Sequence, residues 1–130
     1  MGTEEENSAT VEEFYRLDEA SQGLARELAP GITTRIFVGD NSMLSIVSFE
    51  PNSKGPAHSH PEEQWGILLE GDGIREQNGV ELSVKAGDFW RTPGGVPHGF
   101  TAGSAGAKVL DIFSPPREAY RKKGSGFADE

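Results

Sequence analysis

Short segments in which hydrophobic and polar residues alternate make up most of the chain after residue 30. Side chains two apart point to the same face of a strand, so this alternation predicts strands with one buried face. Gly, Pro, Asn and Asp bound each segment, as expected for turns between strands. The predicted strands lie at residues 34–38, 43–49, 65–70, 74–77, 82–84, 89–92 and 108–113. We therefore expect an all-β domain.

The two ends of the chain lack this alternation. Thr10 and Glu13 fit a capping box before a helical stripe in residues 10–28, but Gly23 interrupts the stripe. A short helix and a strand with a turn both stay open there. The polar ends predict a disordered tail at residues 1–9 and a flexible tail at residues 121–130. A single domain would then span residues 10–120, with no repeat or linker inside it.

Composition narrows the class of protein further. The chain has 130 residues, enough for one domain, and its 17 glycines and 8 prolines favour a sandwich or barrel with many turns. A net charge of −9 would repel a phosphate backbone, so we do not expect a nucleic acid partner. The apolar runs are too short to span a bilayer and no apolar leader is present. These features predict a soluble cytoplasmic protein without a membrane partner.

All three histidines fall in two short segments, residues 56–64 and 93–98. The chain has no cysteine, so a metal ion would have to be held by His, Gln or carboxylate groups. His58 and His60 are two residues apart, and in a strand their side chains would point to one face. His98 would have to arrive from a distant strand. By itself this spacing does not separate a metal site from surface histidines in loops.

The residues around these histidines resemble the two motifs of the cupin superfamily. In the first motif, His-x-His is followed by Glu after three or four residues and by Gly after six more; the corresponding residues are His58, His60, Gln64 and Gly71. In the second motif, Gly is followed after five residues by Pro-x-Gly and then His; the corresponding residues are Gly87, Pro93, Gly95 and His98. Fifteen residues separate Gly71 from Gly87, as in compact cupins.

This resemblance implies a single-domain cupin, a jelly-roll β-barrel with short extensions at both ends. It also implies one divalent metal ion, held by His58, His60, Gln64 and His98. Two departures from the motifs, Asn52 for Gly and Ala102 for Asn, fall at turn or packing positions. A third departure concerns the site itself, because Gln64 stands where the metal-binding Glu is expected. Glu63 precedes it, so a shift in register would give the ligand role to Glu63.

Ligation by Gln64 would change the charge of the site. Its amide oxygen adds no charge, so three neutral imidazoles and one amide would leave the ion its full double charge and make it a stronger Lewis acid. Oxygen-activating iron sites usually include a carboxylate, so a neutral ligand set favours non-redox chemistry. Nitrogen and oxygen ligands suit Zn, Ni, Fe or Mn and do not select among them.

The end of the last predicted strand supports a narrower resemblance. Asp111 and Phe113 share one face of that strand, and Arg117 follows a Pro-Pro turn. Together with Gln64, this ending resembles cupins of the KdgF type, which act in the breakdown of pectin and alginate. They convert 4,5-unsaturated uronate monosaccharides into the linear ketonised acid. The resemblance runs, with gaps, from about residue 30 to about residue 120.

The KdgF resemblance implies that Asp111, Phe113 and Arg117 line the active site. Arg117 would pair with the uronate carboxylate, Asp111 would shuttle a proton, and Phe113 would pack on the sugar. Two other classes stay open. One is a cupin dioxygenase, lyase or polyketide cyclase acting on a small polar or aromatic molecule. The other is a non-enzymatic cupin that binds a small molecule around a structural metal. Cupins of this size are commonly homodimers, which we expect here by resemblance.

Overall fold

The computed structural model describes residues 13–127, which are folded almost entirely as β-strands. The strands are, in chain order, β1 (Leu24–Ala29), β2 (Ile32–Val38), β3 (Met43–Phe49), β4 (Lys54–His58), β5 (Glu63–Gln77), β6 (Val80–Lys85), β7 (Phe89–Thr92) and β8 (His98–Ser114). A single turn of 3-10 helix follows at Glu118–Arg121. Within residues 13–127, no helix is long and apolar enough to cross a membrane.

Two long strands connect the whole sheet. All pairs are antiparallel, in the order β1-β2-β3-β8-β5-β6, while β4 pairs with β8 and β7 pairs with β5. The ladder between β5 and β8 is interrupted near Gly71 and resumes with Gly73 opposite Ala102. Such irregularities bend strands and let one sheet curl into a barrel. The predicted all-β fold is confirmed.

Hydrophobic side chains on the inner faces form two clusters. The first contains Leu28, Ile32, Ile36, Met43, Val47, Phe113 and Tyr120. The second contains Leu68, Phe100, Ala102 and Val109. Val47 from the first cluster and Phe100 and Val109 from the second line one internal cavity. The core therefore surrounds this cavity, and several of the predicted site residues line it.

The strands are longer than the alternating pattern indicated. The predicted segments 65–70 and 74–77 are parts of one strand, β5, and residues 98–107 extend β8. The pattern missed β4, whereas β1 falls largely where a strand had been left open. Asn78 and Gly79 form the hairpin turn between β5 and β6, with positive φ at both residues. Of the ambiguous residues 10–28, residues 13–23 form turns and bends and 24–28 lie in β1, while 10–12 lie outside the described residues.

Residues 119–126 contact β1, and residues 121–126 of this segment belong to the part for which the sequence predicted a flexible tail. Arg26 is buried and donates hydrogen bonds to the backbone oxygens of Ala119, Ser125 and Gly126 at 2.9 to 3.0 Å. Ser125 also forms a β-bridge with Glu27. These contacts bring Phe127 to the cavity. Flexibility of residues 121–130 stays a prediction, and the predicted tail at residues 1–9 lies outside the described residues.

Substitution of Gly71 tests the bend between the two long strands. Gly71 has a φ of +84°, and a Cβ added there would clash with the Gly106 backbone oxygen. Gly79 has a similar φ of +82°, but a Cβ added there would meet nothing within 4 Å. We expect Gly79→Ala to cost about 1 kcal/mol from backbone strain and Gly71→Ala about 3 kcal/mol, because the clash adds to the strain. Urea denaturation measures both, and equal costs would contradict the proposed close contact.

Candidate metal centre

Three histidines from different parts of the chain converge inside the barrel. His58 is the last residue of β4, His60 lies in the following loop, and His98 begins β8 directly opposite His58. One ligand atom from each ring lies within 4.8 Å of the other two. Their ring centroids are 4.6 to 5.9 Å apart. The three side chains could therefore hold a metal ion, although they do not share one strand face.

Backbone carbonyls orient all three imidazole rings. The Nδ1 atoms of His58, His60 and His98 lie 3.1, 3.1 and 2.9 Å from the oxygens of Pro56, Glu62 and Val96. A carbonyl only accepts, so each Nδ1 carries the proton and donates it. The Nε2 atoms are then left as acceptors, which is the tautomer that a metal ion requires. The backbone carbonyl two residues away thus orients each ring so that its Nε2 can bind a metal ion.

His98 shows that this arrangement calls for a ligand. Its ring is buried, and its Nε2 has no hydrogen-bond partner among the described residues. Burial lowers the pKa of His98 to about 3, so the ring is neutral at pH 7. A buried acceptor without a partner is costly unless something satisfies it. A metal ion at the centre of the three rings would do so.

Gln64 turns its oxygen toward the same point. The Oε1 atom of Gln64 lies 2.9 Å from His60 Nε2, and its side chain also hydrogen-bonds the Asp111 carboxylate. A carboxylate accepts, so the amide nitrogen faces Asp111 and the oxygen faces His60. Two acceptors so close repel one another unless a cation joins them. One cation could contact both atoms, so the pair is compatible with a metal site.

The two glutamates before Gln64 lie elsewhere. Glu63 points outward, where its Oε2 accepts from Arg91 Nε at 2.6 Å. Glu62 is buried, and its Oε1 lies 3.4 Å from His60 Nδ1. The structure therefore brings Gln64, and not Glu63, to the histidines. Glu62 contacts His60 at Nδ1, the ring nitrogen on the side opposite the metal centre, and so affects the centre only through that ring.

Asp111 lies in the cavity, whereas Phe113, which the resemblance placed in the active site, packs in the hydrophobic core beside His60 and is not among the residues that line the cavity. Asp111 lines the cavity together with His58, Gln64 and His98. Burial raises the pKa of Asp111 to about 6, although Arg75 and the Gln64 hydrogen bond act to lower it. The Phe113 ring packs edge-on against His60, with centroids 5.5 Å apart. The cavity thus contains a carboxyl group able to exchange a proton near neutral pH.

Arg117 occupies a different position from the one that the sequence suggested. It is 0% exposed, its guanidinium lies 4.2 Å from the centre of the Tyr120 ring, and its Nε lies 3.9 Å from Glu62 Oε1. It is not among the residues that line the cavity. The turn after Ser114 directs the chain against the end of β8, so Arg117 packs behind His60 and Glu62 instead of facing the metal centre.

Sequence reasoning missed Arg75, which does line the cavity. Arg75 is 5% exposed and lies on the inner face of β5. The sequence offered one indication, because adjacent residues of the predicted strand 74–77 alternate between its two faces. Ile74 and Arg75 must therefore lie on opposite faces, and one of them must face inward. The expectation that hydrophobic residues face inward favours Ile74, yet Ile74 is 37% exposed. Only the structure shows that the charged residue faces the core.

Phe127 covers the cavity at the side of His58. Its ring packs against the His58 ring, with centroids 4.5 Å apart, and a Cβ at Gly55 would lie 3.1 Å from it. The Phe127 backbone oxygen accepts from Arg117 Nη2 at 2.5 Å. The cavity beneath has a volume of about 40 Å³, room for about three water molecules. A monosaccharide would have to displace Phe127 to enter.

A small β-barrel with three inward histidines is the arrangement of a metal-binding cupin, and a comparison with known families agrees. The cupin domain family matches residues 45–113, which are 69 of the 130 residues. The chain therefore belongs to the cupin family. The matched region contains His58, His60, Gln64, His98, Asp111 and Phe113.

Relatives of known name share the fold and part of the sequence. An RmlC-like cupin from Shewanella frigidimarina superposes with a TM-score of 0.71 and 24% identity, over 82% of this chain and 96% of that one. KdgF from a Halomonas species gives 0.69 and 26%, over 78% and 98%. Dimethylsulfoniopropionate lyase DddW from Ruegeria pomeroyi is 32% identical over 72 residues, 55% of this chain. That alignment spans 47% of the lyase, about half its length.

The ligand role of Gln64 stays a prediction, which the neighbouring Glu63 allows us to test. We expect Gln64→Ala to weaken zinc binding at least about tenfold, because it removes one of four ligands. Glu63→Ala should leave the affinity unchanged, since that carboxylate pairs with Arg91 outside the centre. Competition with a chromophoric chelator measures both affinities. A larger loss in Glu63→Ala would restore the alternative register.

The cover formed by Phe127 predicts how fast the metal can leave. We expect Phe127→Ala to let a chelator extract zinc severalfold faster, because the ring no longer shields His58. Phe89→Ala is the matched control, since Phe89 is 67% exposed and does not line the cavity. The rate is followed by absorbance after mixing with excess chelator. Equal rates in the two variants would show that Phe127 does not control access.

Proposed function

We propose that this cupin is a metal-dependent, non-redox enzyme that converts 4,5-unsaturated uronate monosaccharides into the linear ketonised acid. The observation that carries the proposal is the placement of Asp111, whose carboxyl group lies in the cavity and is hydrogen-bonded to Gln64 beside three histidines. An acid–base group next to a metal centre is what an isomerisation by proton transfer requires. The similarity to KdgF along nearly its whole length supports the choice of substrate.

The residues that would hold the metal are His58, His60, His98 and Gln64, a neutral ligand set. A divalent ion bound by them would act as a Lewis acid on a substrate oxygen. Carbonyl contacts hold the three rings, and Asp111 holds the Gln64 amide, so these residues need little rearrangement to bind. Zn, Ni, Fe and Mn all suit these ligands.

Asp111 moves the proton in this proposal. Its carboxylate takes the proton of the anomeric hydroxyl group while the bond between carbon 1 and the ring oxygen breaks, which leaves an aldehyde and an enolate on the former ring oxygen. The Asp111 carboxyl group then delivers that proton to carbon 4, and the enolate becomes the ketone. One proton is taken and one is returned, so the reaction is an isomerisation without a co-reactant. A pKa near 6 lets Asp111 serve in both directions at neutral pH.

A lyase is the second candidate function, favoured by the sequence identity to the dimethylsulfoniopropionate lyase. Its substrate is also a small carboxylate, and elimination also begins with loss of a proton to a base. The walls formed by Trp90 and Phe100 would suit a sulfonium cation. Release of dimethyl sulfide from dimethylsulfoniopropionate distinguishes this activity from ketonisation.

The expected assembly is a homodimer and the expected compartment is the cytoplasm. The first comes from the resemblance to cupins and the second from the sequence, and both stay predictions. The small-molecule partner that we expect is the uronate itself.

Loss of the conjugated ultraviolet absorbance of an unsaturated uronate measures the proposed reaction. We expect the zinc-loaded protein to exceed the spontaneous rate and Asp111→Asn to lower kcat about a hundredfold or more, because the amide cannot accept a proton. Asp40→Asn, which changes an exposed turn residue, should keep the wild-type rate. A wild-type rate no faster than the spontaneous one would refute the proposal.

A further inference from the structure

Arg75 is a buried cation held by one edge of its guanidinium group. Its Nη2 donates to Thr92 Oγ1 at 2.7 Å, and Thr92 in turn donates to Gln77 Oε1 at 2.7 Å. The face of the guanidinium lies 5.2 Å from the centre of the Trp90 ring. These contacts fix the plane of the group at the cavity wall. They leave its remaining donors for another partner.

The Nε of Arg75 has no hydrogen-bond partner among the described residues. Arg75 also forms no ion pair within 4.0 Å in residues 13–127, although Asp111 acts on it from across the cavity. Burial lowers the pKa of Arg75 to about 10, so the group still carries its charge at pH 7. A buried charge without a close counter-ion is costly. The site would gain stability from an anion.

We propose that Arg75 is the carboxylate-binding residue of this enzyme, with its Nε donating to the acid group of the substrate inside the cavity. This inference rests on the proposed function and assigns the carboxylate contact to Arg75 instead of Arg117. Both candidate substrates, a uronate and dimethylsulfoniopropionate, carry a carboxylate. The subsite therefore defines the chemical class of the ligand, a small carboxylic acid, before the rest of its structure is known.

Charge and position both favour Arg75 for this role. It is the only Lys or Arg lining the cavity within residues 13–127. Arg117 is packed between Tyr120 and Phe113 and lies near Glu62, on the far side of His60. With a divalent ion bound, Arg75 and Asp111 would leave the cavity with a net positive charge inside a protein of charge −9. An anion is then preferred to a neutral analogue of the same shape.

Binding of unreactive carboxylates tests the subsite without requiring turnover. The probes are D-galacturonate and propionate, each compared with a neutral partner, D-galactose and propionamide, by calorimetry on the zinc-loaded protein. We expect at least one acid to bind more tightly than its neutral partner and Arg75→Gln to weaken that acid about tenfold or more. Arg75→Lys should retain part of the affinity. Arg91→Gln, which removes an exposed charge, should retain all of it.

A measurement on the wild-type protein covers the case in which Arg75→Gln fails to fold. The Nε–H signal of Arg75 is resolved by nuclear magnetic resonance and assigned by its absence in Arg75→Lys. A carboxylate accepting from Nε should move this proton signal downfield, whereas the neutral partner should not. An Nε–H chemical shift that does not change when the acid is added would overturn the inference. Acids that bind no more tightly than the neutral probes would also overturn it.

The outcomes also separate this inference from the proposed function. Acid binding that depends on Arg75, without ketonisation of the unsaturated uronate, would keep the subsite and reject the reaction. Ketonisation whose KM is the same in wild type and Arg75→Gln would keep the reaction and reject the subsite. Zinc content is measured for every variant, so loss of metal cannot be mistaken for loss of the carboxylate contact.

Discussion

The hydrogen bonds from three histidine Nδ1 atoms to nearby carbonyl oxygens determine what this protein can do. Each bond fixes one ring tautomer and turns an Nε2 lone pair toward the same point in the barrel. The carbonyls belong to residues two positions from each histidine, so the orientation is encoded locally. The convergence is not local, because the ladder between β4 and β8 must place His98 opposite His58. The barrel therefore assembles a site from parts that are each already aligned.

Charged side chains surround this centre in two groups with different consequences. Glu62 and Arg117 lie behind His60, where a carboxylate near Nδ1 strengthens the ring as a ligand. Asp111 and Arg75 both line the cavity, and the charge of each affects the pKa of the other. The first group supports the metal ligands, and the second would contact a molecule bound in the cavity. Gln64 connects the two functions, since its oxygen faces His60 and its nitrogen faces Asp111.

The C-terminal segment closes the site that the strands build. Arg26 holds the backbone of residues 125 and 126 against β1, and Phe127 then lies over His58. A cavity of about 40 Å³ is too small for a monosaccharide. Phe127 lies outside the region that matches the cupin family, which ends at residue 113. The residues that line the cavity are therefore not all contained in the family motifs.

The sequence by itself determined the fold class, the three histidines and the place of Asp111 beside them. Alternation and motif spacing are local properties, and they survive folding because each strand buries one face. The pattern could not assign Arg75, since its outward neighbour Ile74 is the more hydrophobic residue. It also could not place Arg117 or Phe127, whose positions depend on turns and on contacts with β1. Which cation lines the cavity is decided only when distant strands meet, and the tertiary structure alone places Arg75 and Asp111 in the wall of one cavity.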